Sequence, residues 1–312
     1  MLAPTRRSFL SGLAGAMALS SVRPSHAEAP PTAAGADGLA SRAPPDLTVL
    51  DLEVEGDKRL ATRFTLFIPN HLARDERVPL LVLLHGLGET WDPGIGAYAW
   101  VERYGLGTSY ARLRRPPLAR TSRQLGLFPD AHLAELNASL AAQPFRGMAV
   151  ACPFTPNVSK MPSPDGALDA YAAWISDVVI PRARKEAPVV PDAAHTAIDG
   201  VSLGGYVGLE VFLRRPEVFC AWGGVQSALN AVRLPAYADK LAASLGKSPQ
   251  PSIHLETSQA DPFRETNTAL AAMLAQKGVP SSLTVLPGLH DQVFLREAGT
   301  IEMLLWHDRR MR

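Results

Sequence analysis

From residue 47 onward the chain alternates between short apolar runs and longer stretches of helical spacing, and that alternation constrains the fold more than any other feature. LTVLDLEVE (47–55) and RLATRFTLFIP (59–69) alternate apolar and polar residues and read as an opening antiparallel pair. PLLVLLHG (79–86) and GMAVACP (147–153) are continuous apolar runs, as expected of strands buried on both faces. In ALDAYAAWISDVVIPRAR (167–184), Leu168, Tyr171, Ile175, Val178 and Val179 have helical spacing. Strand HTAID, helix LGGYVGLEVFLRR, strands FCAWGGVQ and SIHLET, helix RETNTALAAMLAQKG, strand SSLTVLP and a helix from about Val293 to Trp306 follow. This order predicts an α/β domain on a doubly wound, mostly parallel sheet with helices on both faces. Functional groups in such sheets gather beyond the carboxyl ends of the strands.

The first 29 residues are of another kind. They carry Arg6 and Arg7, a weakly apolar stretch to about Val22, and small residues at Ala27 and Ala29. A charged start, short apolar middle and small-residue end form the pattern of a signal peptide, too short to span a membrane. The paired arginines resemble a twin-arginine (Tat) signal, which implies bacterial export to the periplasm or medium with the Tat machinery as a partner. Residues 30–46, rich in Pro, Ala and Gly, read as a flexible tether. The folded domain is therefore expected over 47–312, with no transmembrane segment. A formal net charge of +1, with no block of Lys and Arg, gives no support for a nucleic-acid partner. The run ARLRRPPLAR (111–120) is interrupted by Pro and reads as a solvated loop. Cys152 and Cys220 lie in apolar runs. A disulfide is permitted outside the cytoplasm, but two buried thiols are expected, because their strands are not predicted to be neighbours.

Between a predicted strand and a predicted helix stands Gly200-Val201-Ser202-Leu203-Gly204, a G-x-S-x-G pattern. It is either a glycine-rich turn or an elbow that lifts a nucleophilic Ser202 above the sheet edge. Gly200 and Gly204 permit the tight turn, and the Leu203 N–H would face a developing oxyanion. A serine hydroxyl is a poor nucleophile without a base. Of the eight histidines, only His290 follows the serine and an acid at the carboxyl end of a strand. His71 and His132 read as loop residues, His195 as the wrong end of a strand, His254 as a core residue and His307 as part of the C-terminal tail. Asp261, just past SIHLET and before Pro262, is the acid expected to orient His290. Alone, it would read as a turn or helix-cap residue. Asp239, on an expected helix, and Glu256, within a strand, are weaker candidates. Gly86 and Gly88 in LLHGLGE allow a loop whose Leu87 N–H would be the second oxyanion donor. His85 reads as a structural hydrogen-bonder in that loop.

His85-Gly86, GVSLGGYVGLEVFLRRPEVF, ADPF and GLHD, in that order, resemble an α/β-hydrolase. More narrowly they resemble the putative-esterase family that includes esterase D, feruloyl esterases and mycolyltransferases. The resemblance spans about residues 47–312 and implies a serine hydrolase of small or polymer-linked carboxylic esters, working through an acyl-enzyme without cofactor or metal; with the signal pattern of residues 1–29, an exported one is expected. Acyl transfer and peptide cleavage on the same fold, and a non-catalytic binding protein, are the alternatives. Two features depart from the pattern. Asp199 stands where a small or apolar residue is expected, and about 90–147 form an insertion after the third strand, with Trp91, Tyr98, Trp100, Tyr104 and Tyr110. That insertion reads equally as a lid or binding loop and as a packed helical hairpin.

Overall fold

The computed structural model describes residues 46–121, 126–245 and 251–312. The expected signal segment, and all but the last residue of the expected tether, lie outside the described residues. Eight strands form one sheet: β1 (Leu47–Glu53), β2 (Arg63–Pro69), β3 (Leu80–Leu84), β4 (Ala149–Pro153), β5 (Thr196–Gly200), β6 (Ala221–Val225), β7 (Ser252–Ala260) and β8 (Ser281–Leu289). Their order is β1-β2-β4-β3-β5-β6-β7-β8. β1 pairs antiparallel with β2, as the alternating first segments predict, and β2 also pairs antiparallel with β4, which the sequence did not indicate. All other pairings are parallel. Every residue of β3, β4, β5 and β6 is buried, which explains the unbroken apolar runs of β3 and β4.

Among the described residues ten α-helices are, in chain order, α1 (Pro93–Glu102), α2 (Leu106–Arg114), α3 (Asp130–Ala142), α4 (Pro164–Trp174), α5 (Ile180–Glu186), α6 (Leu203–Arg214), α7 (Leu234–Ala243), α8 (Arg264–Gln276), α9 (Gln292–Phe294) and α10 (Thr300–Arg310). Single π-helical turns, Ile175–Val179 and Leu295–Gly299, join α4 to α5 and α9 to α10. The period of two along a strand divides the core. Leu80, Val82 and Leu84 of β3 enter one cluster with Tyr171, Phe212 and Trp222. Leu81 and Leu83 enter the opposite cluster with Trp100, Tyr110 and Leu304.

The insertion after β3 is a packed layer of three helices, α1 to α3, more than the single hairpin considered from sequence. Trp100, Tyr104 and Tyr110 are buried in the second core, whereas Trp91 stays 65% exposed. α1 starts where it does because Pro93 occupies its first turn and the Asp92 carboxylate accepts from the Ile95 N–H at 2.9 Å. Two readings of histidine are corrected. His132 lies on α3, bonded to Glu302 at 2.7 Å, and His307 is fully buried on α10. Both cysteines are buried free thiols, and β3 and β5 separate β4 from β6.

α10 covers a buried polar layer at β5 and β7. His307 Nε2 meets Asp199 Oδ2 at 2.8 Å, and Trp306 stacks on His254 at 4.9 Å. Glu256, on β7, is fully buried, and neither carboxylate oxygen has a hydrogen-bond partner among the described residues. Burial, then the nearby Glu302 and Asp199 charges, push its carboxyl well above the usual 4.5. His254 Nε2 lies 3.8 Å away, too far to hydrogen-bond, and burial holds that imidazole down at about 3, so the two do not form an ion pair. In the unfolded chain Glu256 ionises near its ordinary value. As pH rises above that value the folded state keeps the extra proton and loses stability, until Glu256 ionises there too. Glu256→Gln is therefore expected to gain in Tm over the native protein as pH rises from about 4 to about 9. Parallel Tm curves would show that the group carries no such penalty.

Candidate active site

The end of β5 and the start of α6 enclose Ser202, with Val201 between them and Gly200. Ser202 takes φ 54° and ψ −114°, a region costing an L-residue about 1–3 kcal/mol. Its backbone is fixed on both sides: its N–H donates to Val225 O at 3.0 Å, and its carbonyl accepts from Ala228 N at 2.9 Å. The glycines are required by close approach. A Cβ on Gly204 would lie 2.4 Å from Leu84 O, and one on Gly200 would lie 2.4 Å from the Gly204 carbonyl carbon. This is a strand–turn–helix elbow with a strained serine at its tip.

β7 and β8 run three and two residues further than their apolar runs suggested, so Asp261 and His290 follow directly on the strand ends. The structure brings both to Ser202. His290 Nε2 lies 3.1 Å from Ser202 Oγ, and His290 Nδ1 lies 2.8 Å from Asp261 Oδ1. Because the aspartate accepts, Nδ1 carries the proton and Nε2 faces the serine hydroxyl. Asp261 is 6% exposed. It also accepts from Phe263 N at 3.0 Å and from the Thr257 hydroxyl, which holds its carboxylate in one orientation. The Phe263 ring meets the imidazole edge-on at 5.5 Å. Asp291, beside the histidine, caps α9 by accepting from Phe294 N. The weaker acids lie elsewhere: Asp239 pairs with Lys277 on the surface, and Glu256 lies in the layer beneath α10.

Leu203 is the first residue of α6, and Leu87 the first of a 3-10 turn, Leu87–Glu89. An N–H in a first turn has no intrahelical acceptor, so both are free to receive an oxyanion. A Cβ on Gly86 would lie 3.8 Å from Ser202 Cβ, which puts this loop beside the serine. Gly88 departs from expectation: a Cβ there would meet nothing within 4 Å, and its backbone is not left-handed, so nothing in the structure demands glycine.

His85 is fully buried. Its Nε2 accepts from Thr155 N at 2.8 Å, so its protonated Nδ1 donates to Gly86 O at 2.9 Å. Burial lowers this imidazole to about 4, which keeps it a neutral brace for the loop. Tyr104, noted from sequence only as one of the aromatics of the insertion, and Glu89, which sequence reasoning missed, support the same turn. The Tyr104 hydroxyl accepts from Gly86 N and donates to the Glu89 carboxylate. Gln226, left-handed at φ 50°, was also missed. Its amide donates to Ser258 Oγ at 2.7 Å and Leu289 O at 2.8 Å, fixing the end of β8 beside His290. Its place at the carboxyl end of β6 is the signal that could have found it.

Beside the Leu87–Glu89 turn opens a groove of about 630 Å³. Leu60, Phe154, Pro156 and Met161 give it apolar walls, and Trp91 stands at its rim. Lys58, Arg59 and Lys160 also line it, against one carboxylate, Asp57, which is bonded to Arg59. Phe154 packs on His85 at 5.3 Å, and Thr90 bonds through its hydroxyl to Leu87 O, so the groove is one layer of residues from the elbow. Exposed apolar side chains flank the site: Leu87 on the turn, and Leu289 and Val293 on either side of His290.

No family model matches the sequence, and no curated protein matches it in sequence. Solved structures do match in fold. A ferulic acid esterase superposes with a TM-score of 0.61 at 17% identity, over 85% of this chain and 98% of that one. An S-formylglutathione hydrolase from Staphylococcus aureus gives 0.54 at 16%, over 85% and 99%. The enterobactin esterase of Shigella flexneri gives 0.55 at 18%, over 86% of this chain and 61% of that one. With its eight-stranded, mostly parallel sheet flanked by helices, this chain has the α/β-hydrolase fold that those esterases share.

Proposed function

We propose that the protein is a serine hydrolase of carboxylic esters, a reading carried by the hydrogen-bonded line from Asp261 through His290 to Ser202. Ser202 Oγ attacks the acyl carbon as His290 Nε2 takes its proton, and Asp261 stabilises the imidazolium that forms. The Leu203 and Leu87 N–H groups receive the oxyanion. Each such donor typically contributes about 3 kcal/mol to the transition state. Collapse of the tetrahedral intermediate expels the alcohol, which takes the proton from His290 and leaves an acyl-enzyme. Water, deprotonated by the same imidazole, then releases the acid and restores the serine. Two structural neighbours, a ferulic acid esterase and an enterobactin esterase, support an ester as substrate. The test is treatment with a fluorophosphonate probe followed by peptide mapping. The label is expected on Ser202, and a label elsewhere, or none, would remove the serine from this role.

The groove gives the substrate a shape and a sign. Its apolar walls and its cations suit an ester with an apolar part that carries an anionic group away from the reacting carbon. Two esters differing only in a distal carboxylate or its uncharged amide are expected to differ about tenfold in kcat/KM at low salt, favouring the acid. The preference should shrink with added salt and disappear in Lys58→Ala/Lys160→Ala. Equal values for the two esters would assign the groove no such selectivity. We also propose export through residues 1–29; N-terminal sequencing of protein recovered outside the cytoplasm should begin near residue 28 or 30.

A further inference from the structure

Asp199 is a fully buried carboxylate, the last residue but one of β5, and the ladder between β5 and β6 is interrupted where it stands. β5 and β6 are in register at Ala197–Ala221 and Ile198–Trp222, and again at the single bridge Val201–Val225. Between these points, Asp199 and Gly200 do not pair with Gly223 and Gly224. On the other side β5 stays paired with β3 through both residues, Leu83 with Asp199 and Leu84 with Gly200. Successive N–H groups of a strand point to opposite edges. Val201 N donates to Leu84 O, toward β3, so the Gly200 N–H faces the gap toward β6. There it donates to Asp199 Oδ1 at 2.6 Å.

The other carboxylate oxygen is taken by His307 Nε2 at 2.8 Å, from α10. The gap is shaped for the group: a Cβ on Gly223 would stand 1.8 Å from Asp199 Oδ2 and 3.1 Å from His307 Nε2. A buried carboxylate without such partners would be costly, yet any small apolar residue would fit the strand. A purely structural need is therefore a poor explanation for aspartate here.

We propose that Asp199 is a positioning residue for Ser202, replacing the missing strand carbonyl as acceptor for the Gly200 N–H and thereby fixing the peptide that leads into the strained serine. His307 holds the carboxylate in that orientation, which makes the last helix part of the support of the nucleophile. The inference rests on Ser202 being the reacting group. Sub-ångström placement of a nucleophile is where such a brace acts, since displacement by about 1 Å can lower turnover on the order of 100-fold.

The test separates position from stability. Asp199→Asn keeps an oxygen for Gly200 N–H, with its amide nitrogen able to donate to an imidazole that switches tautomer. It is expected to keep kcat within about threefold of the native value. The triple variant Asp199→Ala/Gly223→Ala/His307→Leu fills the gap with apolar groups, a replacement buried ion pairs often tolerate, but removes the acceptor. At a temperature well below its melting point it should lose roughly 10- to 100-fold in kcat and in the rate of fluorophosphonate labelling, with KM little changed. A folded triple variant with native kcat would overturn the proposal. So would an Asp199→Asn protein that loses tenfold or more in kcat, and this arm decides the matter if the triple variant does not fold. Should the native protein take no label at Ser202, the reading of the nucleophile fails first, and the two failures are told apart.

Discussion

Ser202→Ala is expected to lower kcat for ester hydrolysis by about 10⁵- to 10⁶-fold, the loss seen when the nucleophile of a serine triad is removed. Three separate features of the chain support that proposed role. Its Oγ is 3.1 Å from His290 Nε2, the Leu203 and Leu87 amides stand at the starts of two helical turns beside it, and its backbone is held at φ 54°. Substrate binding should survive, because neither the groove nor the exposed apolar side chains around the site involve the hydroxyl. Alanine at this φ is as strained as serine, so Tm should change little. Ser202→Gly, equally inactive, should be more stable than Ser202→Ala by about 1 kcal/mol, because glycine adopts this backbone without strain. Calorimetry of the two variants checks the strain, and steady-state kinetics checks the chemistry. Residual activity within tenfold of native in either variant would mean that another group attacks.

The second large effect is expected at Asp261. In Asp261→Asn, the Phe263 N–H, which donates to Oδ1 at 3.0 Å, selects the amide oxygen for the side facing His290. The amide nitrogen then falls beside Thr257, whose hydroxyl can turn to accept. The imidazole accordingly keeps its tautomer, with Nδ1–H donating and Nε2 facing the serine, and what is lost is the negative charge opposite the imidazolium. The expected loss in kcat lies between about 10²-fold and 10⁴-fold, the upper figure belonging to triads in which the tautomer is also reversed. Asp261→Ala leaves both Phe263 N–H and the Thr257 hydroxyl without their acceptor, and should cost stability as well as rate. Equal rates for native and Asp261→Asn proteins would show that His290 is oriented by something else.

Much of the fold is legible in the sequence because a parallel sheet buried on both faces imprints unbroken apolar runs such as LLVLL and AVACP. The elbow is legible for a related reason: Gly200 and Gly204 answer to close backbone contacts that admit no Cβ. Asp261 and His290 are legible through chain order and strand ends. What escapes is whatever depends on the meeting of distant segments. Tyr104 and Glu89, 15 residues apart, bond only because α1 turns the chain back over the Leu87–Glu89 turn. Asp199 looks anomalous in its strand, since its partner, His307, lies 108 residues away. Nothing in the spacing of the 90–147 stretch distinguishes three packed helices from a lid, because their apolar faces are seen only once the sheet they cover is in place.

The sheet order gives Ser202 and His290, the proposed proton-transfer pair, unequal security. Ser202 hangs from β5, which is interior to the sheet, whereas His290 hangs from β8, an edge strand with a neighbour on one side only. Edge strands open at lower free energy than central ones. Fraying of β8 would carry His290 away while the elbow, its glycines and the Leu87 and Leu203 amides stay folded. Gln226, which ties Leu289 O to the end of β6, acts as a rivet against that fraying. On warming, turnover should therefore vanish at a lower temperature than the sheet's far-ultraviolet circular dichroism, and return on cooling. The protein would behave as one whose working life is set by its outermost strand rather than by its core.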